Sequence, residues 1–217
     1  MKLYEFTRVD PFTSDESNVI SSYWKNNQDF FKYLMTLGWK IRTDNGGVYS
    51  SVLINPNTSY VLKINSIYDK GFAWFMLLVR KFPNPHFPKM MDAKLLINDY
   101  GKKVYIYKME RLNKIKNPVL ESIIQAIDKY VLDVYENHFA KNFEDYRLQI
   151  INDSSLIDNN DLKYFLLFEK YIEKHPRLLE ALDIIGKYKK GSLDLHRDNF
   201  MQRQDGTLVI NDPFAGD

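Results

Sequence analysis

Asp194, Asn199 and Asp212 are the residues of this sequence whose types and spacing best suit chemistry. They lie in Leu193-Asp194-Leu195-His196-Arg197-Asp198-Asn199-Phe200-Met201 and, beyond Gln204-Asp205-Gly206, in Leu208-Val209-Ile210-Asn211-Asp212-Pro213-Phe214. An Asp, an Asn five residues on and a second Asp thirteen further make a set that phosphoryl transfer can use. One carboxylate orients an attacking hydroxyl, while an amide oxygen and another carboxylate hold Mg²⁺ on the phosphates. The same letters also suit a polar turn followed by a hairpin with a capping Asp, and D-x-x-x-x-N alone does not separate the two.

Two upstream segments add to the first reading. Asn45-Gly46-Gly47-Val48-Tyr49-Ser50-Ser51-Val52 is a Gly-containing turn leading into a strand, which a plain hairpin would also explain. Lys63 follows eleven residues after Val52, inside Tyr60-Val61-Leu62-Lys63-Ile64. A lysine flanked by apolar residues on a short strand either meets an anion, phosphate or carboxylate, or snorkels to water from an edge.

These groups need a scaffold. Val19–Leu37 carries apolar residues near helical spacing and is broken by Gly38. Val48–Ile54 and Tyr60–Ile64 predict a hairpin about Asn55-Pro56-Asn57-Thr58. Gly71–Lys81 predicts a helix ending before Pro83–Pro88, and Lys94–Ile97 with Lys103–Met109 a second hairpin. After Leu112 the pattern changes. Val119 to Tyr135 repeats at i, i+3, i+4 as a long amphipathic helix, with Leu162–Ile172 and Pro176–Ile185 as two more. Two short strands about Gln204-Asp205-Gly206 close the pattern. The expected fold class is α+β, with a β-rich half over 1–112 and a helical half over 113–217.

Composition excludes several classes. The chain has 217 residues, 45% hydrophobic and 27% charged, with 30 basic against 28 acidic side chains for a net charge of +2. That balance argues against a nucleic-acid coat or a polybasic membrane binder. With no cysteine there is no disulfide scaffold, thiolate zinc site or cysteine nucleophile. Met1–Asp10 lacks an apolar core, and the longest apolar run, Phe72–Val79, falls far short of the ~20 residues of a membrane span. A soluble cytoplasmic protein is expected, with neither membrane nor direct nucleic-acid partners.

In this order the pieces resemble the protein-kinase-like superfamily: phosphate loop, strand lysine, hinge, catalytic loop, metal aspartate. The resemblance spans about Asp44–Asp217 and implies a two-lobed fold, with a small β-rich lobe and a reduced helical lobe truncated after D-P-F. It implies that Gly46, Gly47 and Ser50 belong to the phosphate loop, with Asn45 in place of its first glycine. Lys63 would contact the α- and β-phosphates. Met109-Glu110-Arg111-Leu112 is similar to the hinge, with Met109 as gatekeeper and the Glu110 and Leu112 main chains facing the adenine of ATP at Arg111–Lys116. Asp194 would be the catalytic base, Asn199 and Asp212 the ligands of Mg²⁺ or Mn²⁺.

Departures narrow the match. Ser192 stands where H-R-D has histidine, and His196 takes the place of a lysine, as in the D-L-H-x-x-N of aminoglycoside-type phosphotransferases. His196 could donate to a phosphate or brace the loop. No glutamate lies between Lys63 and Glu110, which leaves Asp69, before the Gly71–Lys81 helix, as the nearest acidic partner for Lys63 or as a helix cap. Five residues follow Asp212, so no activation loop is expected. With Asn84–Lys89 and L-V-I-N-D-P-F, the chain most resembles compact early serine/threonine kinases of short-tailed phages. That implies phosphorylation of host proteins during takeover, in the host cytoplasm. A small-molecule kinase is the first alternative. Asn113–Lys190 carries 12 basic and 13 acidic residues, too balanced for a polycation pocket. A non-catalytic decoy that binds a host protein is the second alternative, opposed by the presence of Lys63, Asp194, Asn199 and Asp212 together.

Overall fold

The computed structural model describes residues 30–42, 50–66, 68–97, 101, 103–152 and 158–215. They form an α+β protein whose chain divides into two compact units. The first comprises the described residues up to Lys70 and Lys89–Arg111; the second comprises Gly71–Pro88 and Leu112 onward.

The first unit is a sheet with a helix. Helix α1 (Phe30–Thr36) ends at Gly38, whose φ of +85° is open to glycine at little cost. Strands β1 (Lys40–Ile41), β2 (Ser50–Ile54), β3 (Tyr60–Ser66), β4 (Met90–Ile97) and β5 (Lys103–Glu110) pair antiparallel in the order β1-β2-β3-β5-β4. Asn55 sets the β2–β3 turn. Its Oδ1 accepts from Asn57 N at 3.0 Å, and its Nδ2 donates to Leu37 O at 3.0 Å, tying the turn to the end of α1. Because side chains alternate along a strand, Leu53, Leu62, Ile64, Val104 and Ile106 share one face and pack with Leu34 and Trp39. Lys63 and Asn65 fall on the other face, opposite Tyr107 and Tyr105 of β5.

In the second unit, α2 (Lys70–Lys81, counted here from Gly71) and α6 (Arg177–Lys187) join α3 (Pro118–Val131), α4 (Phe143–Asn152) and α5 (Asn159–Lys174). Caps place two of the starts. Asn117 accepts from Val119 N, with Pro118 in the first turn, and Asp158 accepts from Asn160 and Asp161 N. Rings of Tyr130, Phe143, Tyr146, Phe165 and Phe168 fill the core between α3, α4 and α5, with Tyr130 and Tyr146 at 5.3 Å. The periodicity running to Tyr135 continues past α3 as one wider π turn, Leu132–Glu136, where the Tyr135 hydroxyl donates to Asp183 Oδ1 at 2.8 Å.

The chain passes from one unit to the other after Arg111, and α2 clusters with the helices rather than with the sheet. Gly71 permits this. A Cβ there would lie 2.9 Å from Ala215 O and 3.1 Å from Phe214 O, so only glycine allows the first turn of α2 to meet that segment. Phe75 then packs edge-on against Phe87 and Phe214 at 5.5 and 6.2 Å. Among the described residues no helix is long and apolar enough to cross a membrane.

Candidate functional site

Residues 193–214 are built around a hairpin. Strands β6 (Phe200–Gln202) and β7 (Leu208–Ile210) pair antiparallel, with Phe200 opposite Ile210. Their turn is closed by Arg203 N to Thr207 O at 3.0 Å and by Thr207 N to Asp205 Oδ1 at 2.9 Å, with Gly206 at φ +86°. Phe200, Leu208, Val209 and Ile210 are buried, so the hairpin is anchored by its apolar face. A second support comes from Asn84–Pro88. Ile210 N donates to His86 O at 2.8 Å, His86 Nδ1 lies 2.7 Å from Leu208 O, and the Arg203 guanidinium reaches the carbonyls of Pro85 and Phe87.

This register brings three of the expected residues together. Asn211 N donates to Asn199 O at 2.8 Å, and Asp194 N donates to Pro213 O at 2.8 Å. Asp212 therefore sits between two backbone hydrogen bonds, one to the residue bearing the Asn199 amide and one to Asp194 itself. The Leu193–Phe214 bridge and Ala215 N to Ser192 O at 3.1 Å extend the clamp. Asn199 Nδ2 donates to Asp194 O at 2.8 Å, which turns its Oδ1 away from that carbonyl.

His196 opens the 3₁₀ turn Arg197–Asn199. Its Nδ1 accepts from Asp198 N at 3.2 Å, and its Nε2 lies 3.3 Å from Asn199 Nδ2. Nε2 faces Asp194 Oδ1 at 3.3 Å. The ring thus braces the half-buried Asp194 carboxylate as well as capping the turn.

Two acidic residues of α3 join this loop, and neither stands out in the sequence. Arg197 Nη2 pairs with Glu121 Oε1 at 2.7 Å. Asp128 is exposed, yet partial desolvation and the neighbouring Asp194 carboxylate raise its pKa above the usual carboxylate range, with His196 opposing. Only their seven-residue spacing, which puts both on one helical face, hints at it.

The first unit holds the other expected groups. Lys63 is 6% exposed on β3, between Val52 of β2 and Tyr107 of β5. On the same face Asn65, 1% exposed, donates from Nδ2 to Asp69 Oδ2 at 2.6 Å, while its Oδ1 has no hydrogen-bond partner among the described residues. Burial, with Tyr105 and Asp69 nearby, raises the Tyr107 hydroxyl well above its ordinary pKa. Ser50 opens β2 opposite Asn65, and Met109 is buried opposite Val61 and Met90. Glu110 closes onto Lys89: its N–H donates to Lys89 O at 2.9 Å, and its Oε1 accepts from Lys89 N at 2.6 Å. Leu112 belongs to the second unit, in a cluster with Met201 and Val209. Asn45, Gly46 and Gly47 lie outside the described residues.

Oxygen donors suit a hard divalent cation, and Asn199 with Asp212 supplies an amide oxygen and a carboxylate of that kind. Among the described residues no three His, Cys, Asp or Glu side chains gather as a metal-ligand group. No family model matches the chain, and no curated protein does.

Proposed function

We propose that this chain is an ATP-dependent serine/threonine protein kinase of protein-kinase-like architecture. The sheet unit would take the nucleotide-binding part and the helical unit the catalytic part. The observation that carries the proposal is the bracketing of Asp212 by the Asn211–Asn199 and Asp194–Pro213 backbone hydrogen bonds, both 2.8 Å. A polar turn with a capping Asp needs no such convergence of Asp194, Asn199 and Asp212.

In this reading Asp194, with its carboxylate braced by His196, orients the acceptor hydroxyl and takes its proton. Asn199 holds the loop through Nδ2 and presents Oδ1 with the Asp212 carboxylate to Mg²⁺ or Mn²⁺. The ion supplies neutralisation of charge on the phosphates. Lys63 contributes a fixed positive charge for the α- and β-phosphates, with Asp69 tethered by Asn65 in place of a helix glutamate. Gly46, Gly47 and Ser50 would cover the phosphates, and the Met109–Leu112 segment would receive adenine. Host proteins in the host cytoplasm are the substrates that the phage-kinase resemblance implies.

Incubation with γ-labelled ATP, Mg²⁺ and a cell extract tests the proposal. Label on serine or threonine of proteins is the expected result. Label on small molecules alone would move the chain to the small-molecule kinases. No transfer at all would leave a non-catalytic binder and overturn the proposal.

A further inference from the structure

A second surface of the helical unit lies where α2 and α6 end. The Trp74 indole N–H donates to Tyr188 O at 2.7 Å. Phe82 and Tyr188 stack with centroids 5.0 Å apart and planes 28° from parallel. Lys190 Nζ lies 3.8 Å from the Trp74 ring centroid, and Lys81 Nζ lies 5.0 Å from Phe82 and 5.5 Å from Tyr188. Tyr188 is 41% exposed, and both lysines are exposed.

The charges around this cluster are unequal. Lys187 and Lys189, next to it in sequence, are neutralised by Asp183 and Glu136 at 2.6 Å each. Among the described residues Lys81 and Lys190 have no carboxylate at ion-pair distance, and their ammonium groups lie against rings. A ring quadrupole attracts an ammonium without cancelling its charge. Holding the long side chain over a ring also removes part of the entropy that a lysine otherwise loses on binding.

We propose that the Trp74–Lys81–Phe82–Tyr188–Lys190 surface docks an acidic, Asp/Glu-rich segment of a partner protein. Charge complementarity selects carboxylates for the two pre-positioned ammonium groups. Single-stranded nucleic acid fits less well, because it gains affinity by stacking bases on open aromatic faces. Here one face of Phe82 and one of Tyr188 are spent on each other, and Trp74 is covered by Lys190. This surface uses none of the residues assigned to phosphoryl transfer, so the two proposals stand or fall separately.

Fluorescence polarisation on the full chain decides it, with fluorescein-labelled octaglutamate, a Gly-Ser octapeptide and U8 RNA as probes. Octaglutamate should bind at low salt and weaken as salt rises, while the Gly-Ser peptide stays unbound. Lys81→Met and Lys190→Met, which keep the stems, should each weaken binding by about threefold or more, and Lys81→Glu/Lys190→Glu together by at least ~10-fold. Melting temperatures equal to the wild type would show that the variants fold. Undetectable octaglutamate binding, affinity unchanged in the double variant, or tighter binding of U8 than of octaglutamate would each overturn the proposal.

Discussion

Asn199 Nδ2 donates to the backbone carbonyl of Asp194 at 2.8 Å, so one amide closes the loop with its nitrogen, and in the proposed function its oxygen would hold the metal. The two roles separate by mutation. Asn199→Ala and Asn199→Asp both remove the donor and should each lower stability by about 1 kcal/mol, read as a shared drop in melting temperature. Only Asn199→Asp keeps an oxygen ligand. It should retain measurable metal-dependent phosphotransfer where Asn199→Ala has none.

Gly71 faces the backbone that follows Asp212, with Ala215 O 2.9 Å from where a Cβ would stand. Backbone cannot yield as a side-chain tip does. Gly71→Ala should therefore cost roughly 1–3 kcal/mol of overpacking despite the better helix propensity of alanine. Chemical denaturation measures the loss. A Gly71→Ala variant as stable as the wild type would contradict the close approach.

His86 gives the protein a pH dependence of known sign. Burial lowers its pKa below 6.5, the Leu208 carbonyl opposes that shift, and His175, Arg203 and Arg177 add to it. The unfolded chain then binds the proton more readily than the folded one. Stability should be full above the unfolded pKa of about 6.5 and fall as pH drops through it toward the lower folded value. Melting temperatures between pH 7.5 and 5 should show that fall, and His86→Gln should flatten it.

Much of this is legible in the residues. The Asn55-Pro56-Asn57-Thr58 turn, the apolar periods of α3 and α5 and the Gln204-Asp205-Gly206 hairpin carry strong local signals, and the elements stand where those signals put them. Helix α4 carries no such signal. Its inward residues Phe143, Tyr146 and Ile150 are sparse among polar neighbours, and tertiary packing against the Tyr130 and Phe165 rings supplies what the pattern lacks. β4 starts at Met90, earlier than the expected Lys94, because Met90 pairs with Met109 across an irregularity that no alternation reveals. At the candidate site the types and spacing of Asp194, Asn199 and Asp212 are readable. Glu121 and Asp128 are not, because contacts between α3 and the loop arise from packing of segments far apart in sequence.

The central claim gives Asp194 and Asp212 different tasks, and one paired experiment reads both. Phosphotransfer from labelled ATP and calorimetric ATP–Mg²⁺ affinity should be measured for the wild type, Asp194→Ala and Asp212→Ala. Asp212→Ala should lose nucleotide–metal affinity and turnover together. Asp194→Ala should bind ATP–Mg²⁺ nearly as the wild type does, while turnover falls by roughly 10²–10⁴-fold, the usual worth of a positioned base. An Asp194→Ala protein that transfers phosphate at the wild-type rate would contradict the account.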